Sequence, residues 1–156
     1  MDGYWAADAD IHSSILSRLG NKLWLKAADS AALQADYQRA IKHYEKVAQW
    51  SVSSNTMRYS VKEYLLKAGL CNLALDLVSG ERCLDKYRDM DPDFQKDREY
   101  MLLADLVNAV REGDQDMFTD CLYKYDKVSR LDKWKTDICL RIKNRIEKQE
   151  SEDEFA

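Results

Sequence analysis

The chain has 156 residues, a formal net charge of −4, 46% hydrophobic and 33% charged residues, which suits a soluble helix-rich unit with a real core and excludes disorder. One proline and five glycines are too few turn signals for a sandwich or barrel, and no strand pattern is present. The acidic balance argues against a nucleic-acid partner, no apolar run approaches the ~18 residues of a membrane span, and MDGYWAADAD lacks a basic, apolar leader.

Residues 1–12 carry Tyr4, Trp5, Ala6, Ala7 and Ala9, enough for a turn or two of helix. Ser13 or Ser14 is a fair N-cap for a helix over roughly 14–34, whose stripe is Leu16, Leu19, Leu23, Ala27 and Ala31, with Trp24 and Ala28 beside it. Gly20-Asn21 marks a kink or restart. Asp36 caps a helix running to about Trp50 through Tyr37, Ala40, Ile41, Tyr44 and Val47, and SVSSNT (51–56) is a polar turn. The stretch Met57–Val78 organises the chain. Val61, Leu65, Ala68, Cys71, Leu75 and Val78 form one apolar face, and Leu66, Leu70, Leu73 and Leu77 a neighbouring one, so this helix has partners on both sides. Ala68 and Gly69 admit a close neighbour, and Ser79-Gly80 reads as its C-cap. Helices follow at about 81–90, 94–111, 115–127 and 132–148, separated by Asp91-Pro92-Asp93 and by Gly113-Asp114. Leu131, Trp134, Ile138, Ile142 and Ile146 make the last stripe, with Lys133, Lys135, Arg141, Lys143, Arg145 and Lys148 assigned to the other faces. Glu150 to Ala156 form an acidic tail with Phe155 near its tip, the composition of a segment that docks into a basic groove with an apolar notch.

RAIKHYEKV (39–47), RCLDKYRDM (82–90) and DCLYKYDKV (120–128) share a small residue, an aliphatic one and a tyrosine, and LWLKAA (23–28) matches YLLKAG (64–69). Helix pairs repeating at roughly 40 residues indicate an all-α solenoid of antiparallel hairpins. Tyr44, Tyr87 and Tyr125 are then inter-helix packing groups. In such a stack the first helices of successive hairpins lie side by side, which makes Lys22/Lys26 and Arg58/Lys62, each pair one turn apart, a basic ladder. Four cysteines at 71, 83, 121 and 139 show no CxxC and no nearby histidine, so they read as reduced core residues of a cytosolic protein rather than zinc ligands. His12 and His43 are the only histidines, and no GxxxxGK[ST], GxSxG or HExxH is present. An enzyme is not expected; a binding scaffold is.

NKLWLKAA (21–28), YQRAIKHYE (37–45), RYSVKEYLLKAGLC (58–71) and YDKVSRLDKWKTDICLRIKNRIE (125–147), followed by the acidic tail, resemble the C-terminal half of the soluble NSF attachment proteins. The likeness covers roughly residues 21–156, with 1–12 matching poorly, and treats 1–156 as a single TPR-like domain ending in an acidic tail at 150–156. It implies a right-handed α-solenoid ending in a C-terminal helical bundle. It also implies a non-enzymatic adaptor, without cofactor or metal, that grips the four-helix complex of syntaxin-type SNAREs and recruits the NSF-type AAA ATPase. On that resemblance Lys22, Lys26, Arg58, Lys62 and Arg98 face the acidic SNARE bundle, and Glu152, Asp153, Glu154 and Phe155 engage the ATPase. The family commonly has leucine where Phe155 stands, and its members are about twice this length. The implied location is cytoplasmic, on the cytosolic face of vesicle, Golgi or vacuolar membranes, peripherally and through partners. The alternative is a short regulatory module that binds the ATPase or SNAREs without full disassembly. Lacking upstream repeats, the first hairpin is expected to expose apolar surface at Trp5, Leu16 and Leu19.

Overall fold

The computed structural model describes the backbone of residues 2–155 and the side chains of residues 18–146. Among these, the elements in chain order are α1 (Asp2–Leu33), α2 (Tyr37–Val52), α3 (Val61–Leu75), α4 (Leu77–Met90), α5 (Arg98–Glu112), α6 (Gln115–Val128) and α7 (Lys133–Phe155), with short 3₁₀ turns at Arg58–Ser60 and Pro92–Lys96. No strand occurs among the described residues. The helices pack as pairs, α1 on α2, α3 on α4, α5 on α6, with α2 seated against α3 and α4 against α5. This is the expected all-α solenoid. Its last helix departs from simple stacking: α7 runs back across α3 and α1 as well as touching α6.

The central helix is buried on both sides, through Val61, Leu65, Leu66, Ala68, Gly69, Leu70, Cys71, Leu73 and Ala74. Each fully buried leucine there contributes about 1.5–3 kcal/mol by leaving water. Gly69 has the packing reason its sequence suggests. A methyl in its place would collide with the buried Leu103 of α5, whose Cδ1 stands 2.8 Å from that position. The end of α3 differs from expectation. It stops at Leu75, and Asp76 opens a new helix by accepting a hydrogen bond from the Ser79 amide at 2.7 Å. Ser79-Gly80 is therefore inside α4 and not a C-cap. Gly80 is small because α3 crosses close by, with Leu73 Cα 3.3 Å from where its Cβ would lie, and Val78 is 55% exposed. Nothing in the local pattern separates Asp76 as the cap of a new helix from a residue inside a longer one that Ser79-Gly80 would close.

The first hairpin also departs from the sequence reading. α1 begins at Asp2 and passes Gly20 without interruption, so Ser13 and Ser14 are internal and no restart occurs. Its buried line is Asn21, Ala28, Ala31 and Ala32, while Leu19 and Leu23 are 55% and 68% exposed. The stripe is rotated because α2 and α7 approach the alanine side, where small residues let helices come close. Leu19 fits the expected exposed apolar surface; Trp5 and Leu16 lie outside the described side chains.

Each repeat tyrosine sends its hydroxyl to a polar group on the preceding helix. Tyr44 donates to Asp29, fifteen residues upstream, and Tyr87 accepts from Asn72 Nδ2 at 2.9 Å across the same separation of 15 residues. Tyr125 donates to Glu99 at 3.2 Å. Burial and these acidic neighbours push the Tyr44 and Tyr125 hydroxyls far above their usual range, so they remain neutral donors.

The cations of α7 close the structure. Arg141 donates to the Ala32 and Leu33 carbonyls at 3.0 and 2.9 Å and to the Tyr37 hydroxyl at 3.1 Å, capping the end of α1. Arg145 donates to the Ala74 and Leu73 carbonyls at the end of α3. Lys135, expected on a solvated face, is instead 5% exposed and paired with Glu63 and with Asp132 at 3.1 Å. Trp134 Nε1 donates to the Asp29 carbonyl at 3.2 Å, its ring meets Tyr44 edge-on, and Lys67 stands 5.0 Å over it while pairing with Asp29 at 3.1 Å. The α7 stripe itself is as read, with Trp134, Ile138, Ile142 and Ile146 buried, although Leu131 precedes the helix. Cys71, Cys83 and Cys139 are free and buried, and burial lifts each thiol to about 12, so none is a ready nucleophile. Among the described residues no helix is long and apolar enough to cross a membrane.

Candidate partner-binding face

The turn between α2 and α3 sets out the central cations. Ser54 organises it, its carbonyl accepting from the Arg58 amide at 2.9 Å and its hydroxyl from the Met57 amide at 3.3 Å. Val61, fully buried, then pins the start of α3 and leaves Arg58 and the 82% exposed Tyr59 directed outward. Lys62 lies half-buried with its ammonium 5.0 Å from the Tyr59 ring.

The segment after α4 supplies the opposite edge. Pro92 stands at the first position of its 3₁₀ turn, and Asp91 caps it by accepting from the Asp93 amide at 3.3 Å. Phe94 is fully buried and meets Tyr100 edge-on at 5.4 Å, which anchors the turn to α5. With Phe94 inside, Asp93 and Asp97 are left along a cleft of about 380 Å³ that they share with Arg58, Tyr59, Lys62 and Asp91. Arg58 forms an ion pair with Asp93, and Lys96 stands 3.9 Å from the same carboxylate. Burial pushes the Asp97 carboxyl above its usual range; Lys62 pulls it down, while Glu99, Asp91 and Asp93 push it further up.

Lys22 and Lys26 are exposed on α1, and Arg98 is exposed as the first residue of α5, directly after Asp97. Asn21 Nδ2 reaches Met57 Sδ at 3.6 Å, bringing the α1 backbone next to Lys22 against the turn that carries Arg58. Arg58 and Lys62 therefore share one cleft, and Asn21, the residue before Lys22, packs against the turn that carries them. The remaining site residues read from sequence, Glu152, Asp153, Glu154 and Phe155, lie outside the described side chains. What sequence reading missed is the acidic side. Asp93 and Asp97 belong to the string DMDPDFQKD, whose density of carboxylates was visible, but it registered only as a helix boundary. His43 packs its ring 4.5 Å from that of Trp24. No group of acidic, histidine or cysteine side chains suited to a metal occurs among the described residues.

Comparison with known proteins places this arrangement. The family model described as soluble NSF attachment protein, SNAP, matches residues 5–147. A probable vesicular-fusion protein sec17 homolog of Neurospora crassa is 53% identical over 139 residues, 88% of this chain and 47% of that protein. The Schizosaccharomyces pombe protein of the same name is 47% identical over 138 residues, again 88% of this chain and 47% of the relative. The human alpha-soluble NSF attachment protein is 39% identical over 132 residues, 85% of this chain and 45% of the relative. The chain thus spans about half the length of the curated relatives it matches. With the family model covering nearly all of α1 through α7 and three relatives agreeing with it, the chain belongs to the soluble NSF attachment protein family.

Proposed function

We propose that this chain is an adaptor that binds assembled SNARE bundles through the face carrying Lys22, Lys26, Arg58, Lys62 and Arg98, and that it recruits an NSF-type ATPase for their disassembly. The observation that carries the reading is the cleft shared by Arg58 and Lys62, beside the Asn21–Met57 contact one residue before Lys22, on a solenoid that belongs to this family. A rigid array of cations suits a long acidic helical bundle better than a small ligand, because it fixes register along the bundle and speeds encounter. The chemistry asked of the adaptor is positioning alone; the ATPase supplies the work, and no catalytic role is assigned to this chain. Glu152, Asp153, Glu154 and Phe155 are the proposed ATPase contacts, acidic groups steering an apolar tip. Attachment to the cytosolic face of membranes would follow from these partners.

The test is SNARE-complex disassembly by NSF with this chain as sole adaptor, beside Lys22→Glu/Lys62→Glu and a deletion of residues 150–156. Disassembly abolished by the charge reversals and by the deletion is the expected result. Disassembly that the reversals leave untouched removes the assigned face, and full coupling without the tail removes the docking role. ATPase binding without disassembly by the parent chain would indicate a partial adaptor acting beside a longer relative, which the half-length match makes the competing outcome.

A further inference from the structure

The cations of this face are not alone in their cleft. Arg58 is held by Asp93, and both side chains are a little over half exposed, so the pair can open at small cost. Lys62 stands close enough to Asp97 for its charge to pull on that carboxyl, and Asp91 adds a third acid to the same wall. The wall is anchored by buried Phe94, so the carboxylates stay in place when Arg58 or Lys62 turns outward. An incoming anion must therefore displace Asp93 from Arg58 and bear the field of Asp97. A partner that presents only negative charge meets this wall as repulsion. A folded helical bundle carries lysines and arginines among its acids, and these can take up the carboxylates that its own acids release.

We propose that Asp93 and Asp97 are the selectivity residues of this face: they compete internally for Arg58 and Lys62, and so favour a partner of mixed, patterned charge over a featureless polyanion. This rests on reading the face as the surface for an acidic partner. Like charge set against the wrong ligand is a general means of discrimination, acting by repulsion and not by a better contact.

The experiment measures Kd at low and moderate salt for the parent, Asp93→Asn and Asp97→Asn, against an assembled SNARE bundle and against heparin as a uniform polyanion. Circular dichroism and thermal melts confirm that each variant folds as the parent does. Loss of one exposed ion pair corresponds to about a two- to fivefold change. The expected result is that much gain for heparin in each variant, a steeper salt dependence, and a smaller gain or none for the bundle. Unchanged or weaker heparin binding overturns the proposal, and so does an equal gain for both ligands, which would make the carboxylates mere attenuators. Failure of the underlying reading looks different: neither parent nor variants bind the bundle, and Lys22→Glu alters nothing.

Discussion

Two sets of cations on this molecule share residue type and helical spacing and have opposite fates. On α7, Lys135 is buried and pairs with Glu63 and Asp132, while half-buried Arg141 and exposed Arg145 reach across to the ends of α1 and α3, so that all three are consumed by the fold. On α1 and at the start of α3, Lys22, Lys26 and Arg58 face solvent, and Arg58 meets only another exposed side chain. The difference lies in what faces each helix. α7 crosses the C-terminal ends of α1 and α3, where backbone carbonyls have no intrahelical donors and the helix dipoles concentrate negative potential. Arginine, with its planar fork of donors, is the side chain that can satisfy two such carbonyls at once, as Arg141 does. The outer edge of α1 offers no such groups, so its lysines stay in water. The α7 cations therefore stabilise the fold, and the others are left at the surface, where the proposed function places the partner.

The sharpest way to break this contrast is at Trp134, which joins α7 to the Asp29 carbonyl and the Tyr44 ring. Trp134→Ala should cost about 3–5 kcal/mol, read as a large fall in the denaturant midpoint, because a buried ring and a hydrogen bond vanish together. A loss no larger than that of a surface variant would mean that α7 is not the closing element. Next is a matched pair. Arg141→Ala removes the donor to the Leu33 carbonyl and the second donor to the Ala32 carbonyl, which keeps the Ala35 amide, and should lose about 1–3 kcal/mol, whereas Lys22→Ala should stay within about 0.5 kcal/mol of the parent. Equal shifts in urea unfolding would dissolve the distinction between the two sets.

A pH titration of stability sharpens it further. Burial alone would raise the Asp132 carboxyl, but the Lys135 amide and ammonium outweigh it and hold the folded value below the usual carboxylate range. A depressed folded value contributes stability above the unfolded value of about 3.9, lost as pH falls through the folded one, so stability should decline with a steepening slope below about pH 4. Asp76, held down by the Ser79 amide, acts in the same direction. Asp132→Asn should flatten the acid limb of a melting-temperature profile; an unchanged limb would detach Asp132 from the clamp. The smallest expected effect lies where Arg141 caps α1. Ala35 there adopts φ 63°, a left-handed conformation that costs a non-glycine residue about 1 kcal/mol, while Gly113 ends α5 at φ 66° without that cost. Ala35→Gly should raise the unfolding free energy by about 1 kcal/mol or less, since freeing the unfolded chain offsets part of the gain. A loss of stability would show that the strain at this corner is not relieved by removing Cβ.

How much was legible follows the same division. Val61, Leu65, Leu70 and Leu73 announced a helix buried on two sides, because apolar periodicity reports how many faces a helix hides. Gly69 announced a close neighbour, though not Leu103. The tyrosine repeat announced the hairpins, though not that each hydroxyl reaches back to Asp29, Asn72 or Glu99. The end of α3 was misplaced because Asp76 caps the following helix as readily as Ser79-Gly80 could have closed this one. Leu23 was read into the apolar stripe of α1 yet is exposed, because local spacing cannot tell which of two adjacent stripes the neighbours will cover.

The sequence by itself determined the helices, their pairing and the family, since these depend on local propensity, short connections and repeated patterns that the chain carries in one dimension. Only the tertiary structure decided which cations are spent inside and which carboxylates stand against Arg58 and Lys62. Apart from the local Lys135–Asp132 pair, those pairings join residues 35 to 109 positions apart, and the low cost of exposing a lysine or arginine anywhere leaves no local signature of its partner.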